Sequence, residues 1–206
     1  MMFNEKNDLQ MLKDVATLEK ISIESTNKTL KTASEEDNKN TKLIMSPYHD
    51  LKRTRFLFPC IALSINALLH HYKVSCHGKN VVILGNSYLV GYPSFMLFQI
   101  KNATVTVCTE HTFDIKHFTR NADIIVSATG VSRLITGDMI KKDSVIIDVG
   151  VNVNNNGKIL GGDVDFDSCI DKVKLITPVP GGLGPLTVVY MINNLWNAYR
   201  VSSSVF

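Results

Sequence analysis

The chain has 206 residues, a charged fraction of 20% and a formal net charge of +3, too mild a basic balance to argue for a nucleic-acid partner. A hydrophobic fraction of 45% is enough for the core of one medium domain, and no stretch is long and apolar enough to span a membrane. Four cysteines, at 60, 76, 108 and 169, have no C-x-x-C spacing, so neither a disulfide framework nor a metal site is expected. Cys60 and Cys108 stand among apolar neighbours and read as small core residues.

Residues 1–45 read as a polar tail, weakly helical or disordered. Leu9, Leu12, Val15, Ala16 and Leu18 form a short, imperfect helical stripe, whereas Ser34 to Thr41 is polar throughout. The tail has no arginine and many carboxylates, unlike a mitochondrial presequence, and lacks the apolar core of a secretory signal. A cytoplasmic location is the default expectation. The basic knot Lys52, Arg53 and Arg55 reads as a solvated segment before a helix.

A regular domain is expected over residues 56–200. Pro59 precedes Ile61, Ile65, Leu68, Leu69 and Tyr72, the stripe of an amphipathic helix, with His70 and His71 complementing its C-terminal dipole. Val81 to Leu84 is a short β-branched run and predicts a buried parallel strand. It enters a turn bounded by Gly85 and Gly91, after which Phe95, Met96, Leu97 and Ile100 turn helical. Ala103 to Cys108 predicts a second strand, Asp123 to Gly130 a third strand and its turn, and Ser144 to Asp148 a fourth. Asn155 to Lys158 has hairpin-turn chemistry, and Lys174 to Val179 is a short last strand. Pro185 is expected to open a final helix with Val188, Val189, Ile192, Leu195, Trp196 and Tyr199 on its apolar face. Strands alternating with helices predict an α/β fold, a doubly wound parallel sheet of Rossmann type flanked by two amphipathic helices.

Strand, glycine turn and helix together point backbone N–H groups and a positive helix end at a phosphate, so a dinucleotide is the expected ligand. Glu110 stands about twenty residues beyond the turn, where a carboxylate accepts from ribose hydroxyls. Gly85, Glu110, Gly130 and Gly150 all fall at predicted C-terminal strand ends, the edge at which such sheets bind ligands. Thr177 to Thr187 contains three glycines and three prolines, a loop whose backbone can approach a ligand closely.

Phe58-Pro59-Cys60, Gly85-Asn86-Ser87-x-x-Val90-Gly91-x-Pro93, Ala103-Thr104-Val105, Ala122-Asp123-Ile124, Asp148-Val149-Gly150-Val151-Asn152, Gly162-Asp163-Val164 and Pro178-Val179-Pro180-Gly181-Gly182-Leu183-Gly184-Pro185 occur in this order. The series resembles the methylenetetrahydrofolate dehydrogenase/cyclohydrolase family over about residues 56–200, most specifically in the proline-glycine loop. The resemblance implies hydride transfer from methylene-tetrahydrofolate to a nicotinamide cofactor, often followed by hydrolysis of the methenyl product. It also implies that Gly85, Asn86, Ser87 and Val151 contact the cofactor, beside Gly91 of the turn and Glu110 after the second strand. Pro180, Gly181, Gly182, Leu183 and Gly184 would line the folate side of the cleft.

Three departures accompany the likeness. Most members read Gly-Arg-Ser where this chain has Gly85-Asn86-Ser87, so a cation for a 2′-phosphate is lacking. Members that use NADP usually carry a serine just past the second strand, where Glu110 stands here; NAD is therefore expected over NADP. The family's catalytic lysine, in a Tyr-x-x-x-Lys pattern within an N-terminal folate-handling domain, has no assigned position. Tyr48 and Lys52 fit the spacing, but Lys52 lies only seven residues before Pro59 and leaves no room for that domain. A noncatalytic NAD-binding remnant or interaction protein is the alternative reading. With that domain mostly missing, Ile65, Leu68, Leu69, Leu195, Trp196 and Tyr199 are expected to be partly uncovered, free to pack on each other, on the tail, on a second subunit or on a protein partner.

Overall fold

The computed structural model describes residues 57–154 and 156–203. The tail at 1–45, the basic knot and the Tyr48–Lys52 pair lie outside the described residues. Helix α1 (Cys60–His71) leads into strand β1 (Asn80–Leu84), helix α2 (Gly91–Ile100) and strand β2 (Thr104–Cys108). Helix α3 (Ile115–Thr119) and strands β3 (Ile124–Ser127) and β4 (Val145–Asp148) follow. The two-residue β5 (Asn152–Val153) and β6 (Ile159–Gly161) precede α4 (Phe166–Cys169), β7 (Leu175–Ile176) and the long α5 (Leu183–Ser203).

Five strands form one parallel sheet in the order β2-β1-β3-β4-β7. The register explains how the sequence divides its apolar residues. Val81 pairs with Val105 and Ile124, Ile124 with Val145, and Val145 with Leu175. One step along, Val82 pairs with Thr106 and Ile125, and Ile146 with both Ile125 and Ile176. Because side chains alternate across a sheet, these two rows face opposite layers. The first row joins Ile83, Val126 and Ile147 against Ile65, Leu69, Leu97, Phe98 and Leu183 of α1, α2 and α5. The second packs with Ile135, Ile140, Ile115 and Phe118 beneath α3 and α4. Both faces are covered, which is why β1, β3 and β4 read as unbroken apolar runs.

The hairpin forms, with β5 antiparallel to β6 and Asn154 N–H donating to Lys158 O at 2.9 Å. Asn154 Oδ1 accepts from the N–H groups of Asn156 and Lys158 at 3.0 and 2.9 Å. Helix α5 begins at Leu183, two residues before the expected Pro185. Pro185 still lies in the first turn, where its missing N–H costs nothing.

Of the expectations for α1, that of helices packing on each other is met, whereas partly uncovered Ile65 and Leu69 need correction. Ile65 and Leu69 are buried, at 0% and 1% exposure, because α1 is sandwiched between the sheet, α2 and α5. Asn194 of α5 donates to Phe58 O at 2.8 Å and to Cys60 Sγ at 3.4 Å, tying the two helices together. Cys60 is half-buried rather than core; Cys108 is buried, and all four cysteines are free thiols. Leu195, Trp196 and Tyr199 are exposed.

Phe98 is the largest fully buried side chain and anchors α2 to the first layer. Phe98→Ala is expected to cost about 3–5 kcal/mol, read as a lower urea midpoint at unchanged m-value.

Candidate functional site

All five sheet strands run the same way, so the turns after β1, β2, β3 and β4 emerge on one edge. Strand β2 lies on one side of β1 and β3 on the other, which makes the β1 exit a topological switch point. A cavity of about 630 Å³ opens there. It brings together Gly85, Asn86 and Ser87 from β1, Glu110 from β2 and Thr129 from β3, with Leu84, Ile115, Val131 and Leu134 as apolar walls.

The turn is shaped for a close approach. Gly85 has φ of +100°, and a Cβ there would collide with Ala128 O at 2.5 Å. A Cβ on Gly91 would strike the Gly85 backbone oxygen, so the two ends of the turn touch. Both glycines are therefore required by geometry, and α2 begins directly at the second of them. Ser87 Oγ accepts from Val90 N–H at 3.3 Å, which leaves its own O–H to donate outward. Glu110 lies at the cavity with its side chain 86% exposed, and its Oε1 stands 3.5 Å from His111 Nε2.

The structure does not bring every expected residue into this cavity. Val151, at the β4 exit, is exposed and outside it. The Pro180–Gly184 segment follows β7, farther along the same edge; Pro180, Gly181 and Gly184 are exposed, whereas the Leu183 side chain is in the core. The Val179–Pro180 peptide bond is cis. A second cavity of about 250 Å³ lies between, lined by Asp148, Thr177, Pro178 and Val179 together with Leu160 and Gly161 of the hairpin.

Asp148 and Asp163 are the residues that sequence reasoning passed over. Asp163 is fully buried, and its Oδ2 accepts from Ser127 Oγ (3.1 Å), Thr129 N–H (2.6 Å), Thr129 Oγ1 (2.9 Å) and Gly130 N–H (3.3 Å). Its Oδ1 accepts from Asn152 Nδ2 at 3.1 Å. Asp148 Oδ1 accepts from the N–H groups of Gly150 and Asp163 at 3.0 and 3.1 Å, and Oδ2 from Val164 N–H at 2.9 Å. Each carboxylate sits where a glycine makes room: a Cβ on Gly150 would overlap Asp163, and one on Gly162 would overlap Asp148. Thr177 completes the clasp, its Oγ1 accepting from Asp148 N–H at 2.8 Å and donating to Asp148 O at 3.2 Å. Burial pushes the Asp148 carboxyl up from the usual carboxylate value, and the charge of Asp163 adds to the rise against its N–H donors. The motifs Asp148-x-Gly150 and Gly162-Asp163 were the available signal, but their joint meaning is visible only once the hairpin closes.

Parallel sheet, switch-point cavity and glycine turn define a Rossmann-type dinucleotide-binding domain. A family model described as tetrahydrofolate dehydrogenase/cyclohydrolase, NAD(P)-binding domain, matches residues 59–203. The chain is 49% identical over 142 residues to the bifunctional protein FolD of Aquifex aeolicus (strain VF5), covering 69% of this chain and 48% of that one. Its fold is similar to that of the bifunctional enzyme FolD, a methylenetetrahydrofolate dehydrogenase/cyclohydrolase from Campylobacter jejuni. That match has a TM-score of 0.66 at 40% identity, over 69% of this chain and 51% of the other. The Trypanosoma brucei methylenetetrahydrofolate dehydrogenase-cyclohydrolase, complexed with NADP and an inhibitor, matches with the same TM-score at 37% identity, over 70% and 51% of the two chains. The chain belongs to the tetrahydrofolate dehydrogenase/cyclohydrolase family and carries its NAD(P)-binding domain. It spans about half the length of the curated relatives it matches. Among the described residues no helix is long and apolar enough to cross a membrane, and no cluster of His, Cys, Asp and Glu could hold a metal ion.

Asp163→Ala strands five hydrogen-bond donors and is expected to cost about 3 kcal/mol, the order of an uncompensated buried polar group. Asp163→Asn keeps one acceptor oxygen for the β3 turn and should lose only about 1 kcal/mol. It also removes the charge facing Asp148, so an NMR titration should show the Asp148 carboxyl titrating at lower pH than in the wild type.

Proposed function

We propose that this chain binds NAD in preference to NADP at the β1 exit and serves the oxidation of methylene-tetrahydrofolate in one-carbon metabolism. The observation that carries the cofactor assignment is the convergence of Asn86 and Glu110 on one cavity beside the glycine turn. A 2′-phosphate brought to this place meets a carboxylate and a neutral amide, whereas a ribose diol finds an acceptor for both hydroxyls.

The cavity and the glycine turn suit the group. Leu84, Ile115, Val131 and Leu134 offer an apolar slot for an adenine ring, and Ser87 with the N-terminus of α2 offers donors for the pyrophosphate. The strand order then sets the direction of the rest. From β2 to β4 there are three strand spacings, about 14 Å, and this runs from Glu110 past the glycine turn and Thr129 to Val151. Beyond β4 lies β7, whose exit leads to the Pro180–Gly184 loop. This order favours the adenosine end at β2 and the nicotinamide on the β4 side, with the folate next to the proline-glycine loop. Bound there, NAD supplies the acceptor for the hydride that methylene-tetrahydrofolate gives up. The clasp of Asp148 and Asp163 holds the β3 and β4 turns in place, which keeps Val151 and Thr129 positioned along that path.

Glu110→Ser is expected to shift the NAD/NADP affinity ratio toward NADP by about tenfold, or about 1.4 kcal/mol, between the roughly 1 and 4 kcal/mol of a charge pair at 4 Å in water and near a surface. Paired cofactor titrations measure it, and an unchanged ratio removes the ribose role of Glu110. Purified full chain is also expected to reduce NAD with methylene-tetrahydrofolate as donor. Cofactor binding without turnover would leave the cofactor site standing and overturn catalysis by this chain alone.

A further inference from the structure

Helix α5 presents an apolar face to solvent. Val188, Met191, Ile192, Leu195 and Trp196 are each more than half exposed and recur at the i, i+3, i+4, i+7, i+8 spacing of a single stripe. The sequence of α5 holds one charged residue, Arg200, so nothing within the stripe itself favours water. A contiguous exposed patch of this kind marks a docking surface.

Two observations name its occupant. The chain enters the described structure beside this helix, since Phe58 O accepts from Asn194 Nδ2 at 2.8 Å, and Asn194 follows Met191 by three residues and precedes Leu195. Fifty-six residues precede that point, and within them Leu9, Leu12, Val15 and Ala16 recur at imperfect helical spacing, with Leu18 off their face. As a helix, residues 9–18 would be about 15 Å long, against about 13 Å for the exposed stripe from Val188 to Trp196. Were the intervening residues 19–56 a random coil, their root-mean-square span would be about 34 Å. That is ample for a face adjoining the tether's own end, and it holds the apolar segment at an effective concentration of the order of millimolar. A second copy of the chain would have to reach a comparable concentration to compete.

We propose that the apolar stripe of residues 9–18 docks on the Val188–Trp196 face of α5 in the same chain. Trp196 is the sole tryptophan and sits within the face, so it reports on the contact directly. The test is tryptophan emission and acrylamide quenching of the full chain over a wide dilution series, compared with a Leu12→Asp, Val15→Asp double variant. The expected result is blue-shifted, weakly quenched emission at every dilution, with quenching raised severalfold in the variant while the circular dichroism of the α/β domain is kept. Should the charged pair lower the yield of folded protein, Leu12→Ser with Val15→Ser gives the same comparison. Shielding that disappears on dilution would assign the face to a second copy and overturn the proposal. Trp196 equally accessible in wild type and variant, or equally shielded in both, would overturn it as well.

Discussion

Two buried carboxylates organise the edge on which this protein's candidate ligand site is built. Asp148 ends β4 and Asp163 follows β6, and each accepts hydrogen bonds from the segment that carries the other or from the β3 turn. A buried charge is tolerated only when its acceptor capacity is used, and here five contacts fall on Asp163 and three on Asp148. The interaction needs Gly150 and Gly162 as much as it needs the acids, because a Cβ at either position would occupy the space of the facing carboxylate. The turns after β3 and β4 and the hairpin β5–β6 are thereby fixed as one unit, which suits a site that must exist before its ligand arrives.

Fixing that edge gives the sheet order a functional meaning. The polar groups that suit a ribose stand on the β2 side, the glycine turn at the centre, and the proline-glycine loop beyond β7. On the proposed reading, a ligand lying across the strands would meet a ribose acceptor, phosphate donors and the proline-glycine loop in succession. The proposed preference for NAD rests on electrostatics at one end of this path, where Glu110 is almost fully in solvent and its effect on a 2′-phosphate would be screened rather than multiplied by burial. The effect is accordingly one of discrimination between two cofactors more than of affinity for either.

The sequence disclosed the sheet because parallel strands covered on both faces leave apolar runs such as Val81–Leu84 and Val145–Ile147. It disclosed the glycine turn because Gly85 and Gly91 are both needed for one local event, the reversal from strand into helix. The clasp was not legible in the same way. Asp148 and Asp163 read as two separate motif fragments, and what joins them is a hairpin closing over intervening residues. Helical periodicity likewise reported that Ile65 and Leu69 share a face without reporting what covers it; α5 and the sheet do. Leu183 stood inside a loop-like run of glycine and proline, yet the helix begins there and turns its side chain into the core.

The strand order β2-β1-β3-β4-β7 also has a bearing on how the sheet is assembled. The first strand of the sheet to appear in the chain, β1, becomes an interior one, and β2 then pairs on one side of it. Thereafter β3, β4 and β7 are added in turn on the other side. Every strand joins at a free edge, and none has to be inserted between two that are already paired. Each parallel pairing still spans a crossover and is slow to form for that reason. Growth from β1 outward nevertheless lets the sheet extend in the order in which a ribosome would deliver it.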